Sequence, residues 1–278
     1  MKYDLGSDLH VDINAGRIGM VRFKEMKNAG SDTIVLAGDI SNDPELTVKV
    51  LAMAASAYEN VIFVDGNHEH YSNGKYGLDV SGAMGFFKEA IDLIPNVTYL
   101  SGDNNVIIDD TMFVGANAWY DFRMAPPQYT PEKCKEAWET SLNDFRLSNF
   151  DVEPEVLAGI QSALIADQVS KAQDNDDVKK IVVVTHTVPN TKGLLVKNNP
   201  SWDILNGCFG NSTMSNVWQV DTNRKIIHAV CGHTHYPNDF VDNDGIRFVI
   251  NPRGYHGAEN ELGDRWFLVQ MDTSDERI

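Results

Sequence analysis

The sequence predicts an α/β protein whose core strands are buried on both faces and mostly parallel. Three observations carry that expectation. Apolar, β-branched runs recur as Thr33–Ala37, Val61–Val64, Ile181–Val184 and Ile226–Cys231, the composition of strands covered on both sides. Stretches of helical periodicity lie between them. Each run then stops at a turn that carries Asp, Asn or His, where the strands of an open α/β sheet present their ligand-binding ends.

In chain order, the run from Lys2 reads as the first strand and ends in Ser7-Asp8-Leu9-His10. On an extended backbone Asp8 and His10 point to one face, an arrangement that a plain surface pair fits equally well. Met20 to Ala29 reads as a short helix leading to Thr33-Ile34-Val35-Leu36-Ala37-Gly38-Asp39. Gly38 lets the backbone turn there and leaves Asp39 at the strand end, the expected centre of the active site. Asp43 then suits a helix N-cap and Pro44 the first helical position, with Leu46, Val50, Met53 and Ala57 on one face. The Val61–Val64 strand follows and runs into Asp65-Gly66-Asn67-His68-Glu69-His70. Strand, helix, strand implies a right-handed parallel unit, which puts Asn67 and His68 at the same sheet edge as Asp39.

Phe86, Phe87, Ala90, Ile91 and Ile94 mark a helix that ends at Pro95. Short strands around Val97–Leu100, Asn105–Ile108 and Met112–Ala116 read as the start of a second sheet. Trp119 to Asp177 reads as helical, with one segment opened by Thr130-Pro131 (Trp138, Leu142 and Phe145 on one face) and another from Pro154 (Leu157, Ile160, Leu164 and Val169). Residues 119–150 are expected as a helical cap inserted into a single 1–278 domain, since no linker-like composition or repeat divides the chain. Asn190–Gln219 reads as loop with some helix. The later strands end in Thr185-His186 and Gly232-His233-Thr234-His235, and Phe248–Ile250 and Trp266–Val269 close the sheets.

The formal charge of −17 repels polyanions, so stable nucleic-acid binding is not expected. Cys134, Cys208 and Cys231 are an odd, widely spaced set, which fits a reduced compartment better than a disulfide framework. No apolar run approaches the ~20 residues needed to cross a bilayer, and the N-terminus lacks a signal-peptide pattern. A cytoplasmic protein without a membrane partner is the expectation.

Six of the eight histidines fall in the strand-end turns. Singly, each is more readily explained as an ordinary core or surface residue. Together they are not, because unrelated structural causes would not all select metal-ligand residue types. Asp8, His10, Asp39, Asn67, His186, His233 and His235 form a mixed oxygen and nitrogen set that suits Mn, Fe, Zn or Ni. They are too many for one tetrahedral ion and fit two ions sharing a carboxylate.

Asp8-x-His10, Gly38-Asp39, Gly66-Asn67-His68-Glu69, His186 after its strand and Gly232-His233-x-His235 resemble, in order and spacing, the signature of the calcineurin-like metallophosphoesterases. The resemblance spans residues 8–235. It implies a four-layer αββα sandwich of two mixed β-sheets flanked by helices, with the site at the strand ends. It also implies two divalent ions, Mn²⁺ favoured: Asp8, His10 and His235 on one, Asn67, His186 and His233 on the other, and Asp39 between them. A hydroxide bridging the ions would attack a small, nucleotide-like phosphate ester in line, with His68 beside the scissile phosphate and Asp39 as the second catalytic residue. Glu69 would favour charged His68 if it turns inward, although a solvated turn residue fits as well.

The protein phosphatases of the family follow this Asp with Asp-Arg-Gly, whereas here Ile40-Ser41-Asn42-Asp43 follows, which argues against that activity. The charge argues against a nuclease. Asn67, His68, Arg253 and His256, and in the cap Trp119, Tyr120, Arg123 and Arg146, are candidate substrate contacts, though packing or surface charge accounts better, taken singly, for Arg253, His256 and each of the cap residues. The competing class is a non-catalytic, protein-binding scaffold of the same fold, which would be free to lose ligands that are all present here.

Overall fold

Successive side chains of a strand face opposite ways, and in the runs Thr33–Ala37, Thr111–Ala116, Lys180–Thr185 and Ile226–Cys231 both faces are buried almost throughout. The structure, a computed structural model, describes residues 1–14, 21–71, 76–256, 266–274 and 277. The elements run β1 (Lys2–Gly6), α1 (Val11–Asn14), α2 (Phe23–Met26), β2 (Thr33–Ala37), α3 (Pro44–Ala55), β3 (Asn60–Val64), α4 (Val80–Ile91) and β4 (Val97–Tyr99). They continue with β5 (Asn105–Ile108), β6 (Thr111–Ala116), α5 (Pro131–Ser141), α6 (Asn143–Leu147), α7 (Pro154–Gln173) and β7 (Lys180–Thr185). The last are α8 (Pro200–Asp203), α9 (Ser215–Gln219), β8 (Ile226–Cys231), β9 (Asn238–Val241), β10 (Arg247–Ile250) and β11 (Val269–Asp272).

Two mixed sheets result, in the orders β11-β1-β2-β3-β4 and β5-β6-β7-β8-β10-β9. Among the described residues only β11, β5 and β9 run antiparallel to their neighbours. Tyr3, Leu5, Val35, Ala37, Ile62 and Val64 of the first sheet meet Phe113, Val182, Val184, Val230 and Val249 of the second. The intervening residues face outward: Ile34, Leu36, Val61 and Phe63 lie under α3 and α4, while Met112, Val114, Ile181 and Val183 lie under α7 and α9. Helix, sheet, sheet, helix is therefore the layer order. Truncating one of these buried side chains to Ala would cost about 2–5 kcal/mol.

Registers bring the parallel strands to one edge: Gly6 pairs with Leu36, Ala37 with Val64, Ala116 with Thr185 and Cys231 with Ile250. The helix starts follow local chemistry. Asp43 accepts from Glu45 N at 3.0 Å ahead of Pro44, and Thr130 accepts from Lys133 N at 3.4 Å ahead of Pro131; such caps contribute about 1 kcal/mol.

Several expectations change. Val97–Tyr99 closes the first sheet instead of opening the second, because it pairs in parallel with β3. The Met20–Ala29 helix is one short stretch, α2, with Met20 outside the described residues. Trp266–Leu268 is irregular, the closing strand starts at Val269, and β9 adds an edge strand that the sequence reading lacked. Residues 117–130 are not helical. On α3, Met53 is exposed and Thr47, Val50, Leu51 and Ala54 are buried. On α7, Ile160 and Leu164 are exposed, and the buried face is Leu157, Ala158, Gln161, Ile165, Gln168, Val169 and Ala172. Within 119–150, Phe145 is exposed, whereas Trp119, Tyr120, Phe122 and Trp138 share an apolar cluster with Val80 of α4 and Leu157 and Ala158 of α7. The three cysteines are free and buried. No helix among the described residues is long and apolar enough to cross a membrane.

Candidate metal centre

Three strand ends at the common edge, those of β1, β2 and β8, turn through left-handed backbone. Asp8, His10, Asp39, His233 and His235 have φ of 53, 43, 57, 72 and 55°, a region that Asp and His enter more readily than most residues but still at a cost. Asp8 and His10 thus lie beyond β1 on a turned backbone, not on the extended one expected, and converge for a different reason. Gly38, at φ 83°, makes the Asp39 turn possible: a Cβ there would come 2.5 Å from His186 Nδ1 and 2.8 Å from the Gly66 nitrogen.

The backbone ties the turns together. Asp8 N donates to Gly38 O at 2.9 Å, His10 N to Asp39 O at 3.1 Å and Gly232 N to His186 O at 3.0 Å. Glu69 turns inward, but toward backbone and not toward His68. Fully buried, it accepts from Asp39 N and Ile40 N at 2.8 Å, Ser41 N at 3.1 Å and Gly66 N at 2.7 Å. Burial and the Asp39 charge push its carboxyl up to about 8, while the Gly66 and Ser41 N–H groups pull the other way.

Two donor sets emerge, Asp8/His10/Asp39/His235 and Asp39/His186/His233, all buried and sharing Asp39. Asp39 Oδ2 stands 3.4 Å from His186 Nε2, 3.8 Å from His10 Nε2 and 3.9 Å from His68 Nε2. His10 Nε2 and His235 Nε2 face each other at 3.0 Å, with Asp8 Oδ1 3.3 Å from the latter. Asn67 Oδ1 lies 2.9 Å from His186 Nε2. All seven residues proposed from the sequence as ligands therefore converge.

The outer contacts of two rings suit ligands. His186 Nδ1–H donates to Ala37 O at 2.9 Å and His233 Nε2–H to Cys208 O at 3.0 Å. A carbonyl can only accept, so in the neutral rings the lone pairs are on the nitrogens facing inward, the usual second contact of a metal-bound imidazole. His10 Nδ1 is buried without a hydrogen-bond partner among the described residues. The donor set fits divalent cations that accept nitrogen and oxygen ligands.

The field within the cluster is polarised. Burial opposes ionisation of Asp39, yet His186 and His68 hold its carboxyl well below the usual range. Burial likewise disfavours charge on His186, but Asp39 overrides it and lifts the ring to about 10. Burial, with His68 and His235, lowers His10. His68 is lowered by burial against the opposing pull of Asp39 and Asp144.

A cavity of about 230 Å³ opens over the cluster. Asp39, Asn67, His68, His233 and His235 are among its polar lining, and Leu142, Trp202, Leu205 and Phe209 are among its apolar lining. His68 Nδ1 is 2.6 Å from Asn42 Oδ1 and its Nε2 is 3.0 Å from the Tyr255 hydroxyl. Arg253 and His256, expected as substrate contacts, do not line this cavity: Arg253 is buried and His256 is exposed. Trp119 and Tyr120 are fully buried packing residues, and Arg123 and Arg146 are exposed. Sequence reasoning missed Asn42, Tyr71, Asp144, Trp202, Phe209 and Tyr255, none of which stands in a metal-ligand pattern. Asp144, for one, binds a residue 77 positions away.

The calcineurin-like phosphoesterase family model matches residues 6–237. An uncharacterized protein, L509, of Acanthamoeba polyphaga mimivirus is 25% identical over 274 residues, covering 92% of each chain. Among solved structures, the phosphopantetheinyl hydrolase of Mycobacterium tuberculosis superposes with a TM-score of 0.74 at 17% identity, over 99% of this chain and 98% of that one. A dimetal phosphatase from Danio rerio gives 0.51 at 12% identity, over 90% and 86%.

Proposed function

The chain belongs to the calcineurin-like phosphoesterase family of phosphoric ester hydrolases, and from that premise we propose that it is a two-metal phosphoesterase acting on a small phosphate ester. The observation that carries this reading is the pair of buried donor sets sharing Asp39. Asp8, His10 and His235 would hold one ion, Asn67, His186 and His233 the other, and Asp39 both. Bound there, two divalent cations would polarise the phosphoryl group and lower the pKa of water to make a nucleophile at neutral pH. Mn²⁺ is the first ion to test, since nitrogen and oxygen ligands without thiolate admit it along with Fe, Zn and Ni.

The chain's own residues do the remaining work. The reaction that suits the cavity is in-line displacement at phosphorus, in which water adds as the bond to the leaving oxygen breaks. His68, its Nδ1 anchored on Asn42, directs Nε2 into the cavity beside Asp39. An arriving phosphate anion favours the imidazolium form, which then gives its Nε2 proton to the leaving oxygen. Trp202, Leu205 and Phe209 would cover a flat or apolar leaving group and exclude water from it. We infer a single domain in which the 119–150 insertion walls this cavity, since Ser141, Leu142, Asn143 and Asp144 line it.

Hydrolysis of bis-p-nitrophenyl phosphate and p-nitrophenyl phosphate with added Mn²⁺ tests the reading and separates diesterase from monoesterase. Turnover that a chelator removes and Mn²⁺ restores is expected. Failure on both esters with every divalent ion would favour a protein-binding scaffold. Cyclic nucleotides, linear nucleotides and a phosphopantetheine diester form the natural substrate panel, the last because of the name carried by the mycobacterial neighbour.

A further inference from the structure

Asn67 is the one amide among the proposed ligands, and the atom it offers depends on which way its side chain is turned. An amide presents oxygen at one end and N–H₂ at the other, and neighbours decide the direction. Here Nδ2 donates to Asp144 Oδ1 at 3.0 Å and to the Tyr71 hydroxyl at 2.8 Å, leaving Oδ1 toward His186. Asp144 is itself held. It is 3% exposed, and the Tyr71 hydroxyl also donates to its Oδ1. The Tyr120 hydroxyl donates to Oδ2 at 2.8 Å while accepting from Trp138 Nε1 at 2.6 Å. A carboxylate can only accept, so it admits the N–H₂ end of Asn67 and rejects the oxygen.

We propose that Asp144, carried by the 119–150 insertion, is the positioning residue that turns Asn67 so that Oδ1 faces the Asp39/His186/His233 set. The proposal rests on the two-metal reading. Tyr71, Tyr120 and Trp138 keep Asp144 in place, which gives Tyr120 and Trp138, the buried aromatic residues of the insertion in this chain of contacts, a role at the site although neither lines the cavity. Partners of this kind in the layer behind a ligand change metal affinity by about 10–100-fold.

The test counts Mn²⁺ by titration calorimetry on full-length protein stripped of metal, with thermal unfolding followed in parallel. Wild type should bind two ions. Asp144→Ala should keep one at wild-type affinity and bind the other about 10–100-fold more weakly. Adding Asn67→Asp should restore the second ion, because a carboxylate offers oxygen at either end and needs no orienting partner. That rescue separates positioning from lost packing, which Asn67→Asp would not repair. Should the alanine variant not fold, Asp144→Ser, too short to reach Asn67, takes its place with the same expectation. Two ions bound at wild-type affinity by the Asp144 variant, or no rescue by Asn67→Asp, would overturn the proposal. Wild type binding no Mn²⁺ would instead remove the two-metal reading beneath it.

Discussion

His68 shows how one side chain can be tested apart from its neighbours. It sits among the proposed ligands, but its Nδ1 is taken by Asn42 and its Nε2 faces Tyr255 and Asp39. His68→Ala should therefore retain full metal content while kcat falls by roughly 10²–10⁴-fold, the usual contribution of a positioned proton donor. Metal analysis beside steady-state kinetics checks this, and loss of metal would make His68 a ligand. At this scale the sequence was most legible for residues in recurrent patterns, since Asp and His two apart or after Gly stand out at strand ends. It was opaque for Asp144, Tyr71 and Tyr255, which reach the site through folding at a distance. Glu69 was legible only as a choice between two roles, and its actual partners, four backbone N–H groups and the Thr47 hydroxyl, belong to neither.

Among the elements, the β2 turn is the least replaceable. Gly38 combines φ 83° with contact between its missing Cβ and both His186 and Gly66. Gly38→Ala should cost roughly 1–3 kcal/mol from the backbone alone, and more from displacing His186. A lowered Tm together with weakened metal binding is expected; an unchanged Tm would mean that the turn relaxes freely. Strands and caps were readable because β-branched runs and Asp-Pro or Thr-Pro starts act locally. Helix faces were not. On α7 the buried side includes Ala158, under the aromatic cluster, and Ala172, under the second sheet, and buried Gln161 accepts from the backbone N–H groups of Ala118 and Trp119. Hydrophobicity alone instead chose Ile160 and Leu164, which face solvent. The irregular 117–130 segment was misread because its bulky aromatic residues serve a cluster between helices and carry no helical phase.

Across the whole molecule, the site is a product of two sheets meeting. Asp8, His10, Asp39 and Asn67 follow strands of the first, and His186, His233 and His235 follow strands of the second. Each proposed ion would thus be held from both sides of the inter-sheet core and would clamp the sheets together at that edge. Stacking order was legible only through the resemblance, since alternation within a strand says that both faces are buried but not what covers them. The shared carboxylate of Asp39 is the point at which fold and chemistry meet. Anomalous diffraction from crystals grown with Mn²⁺ measures it directly. Two peaks about 3.5–4 Å apart, one on each side of the Asp39 carboxylate, are expected; a single peak, or peaks that leave Asp39 uncoordinated, would contradict a shared two-ion centre.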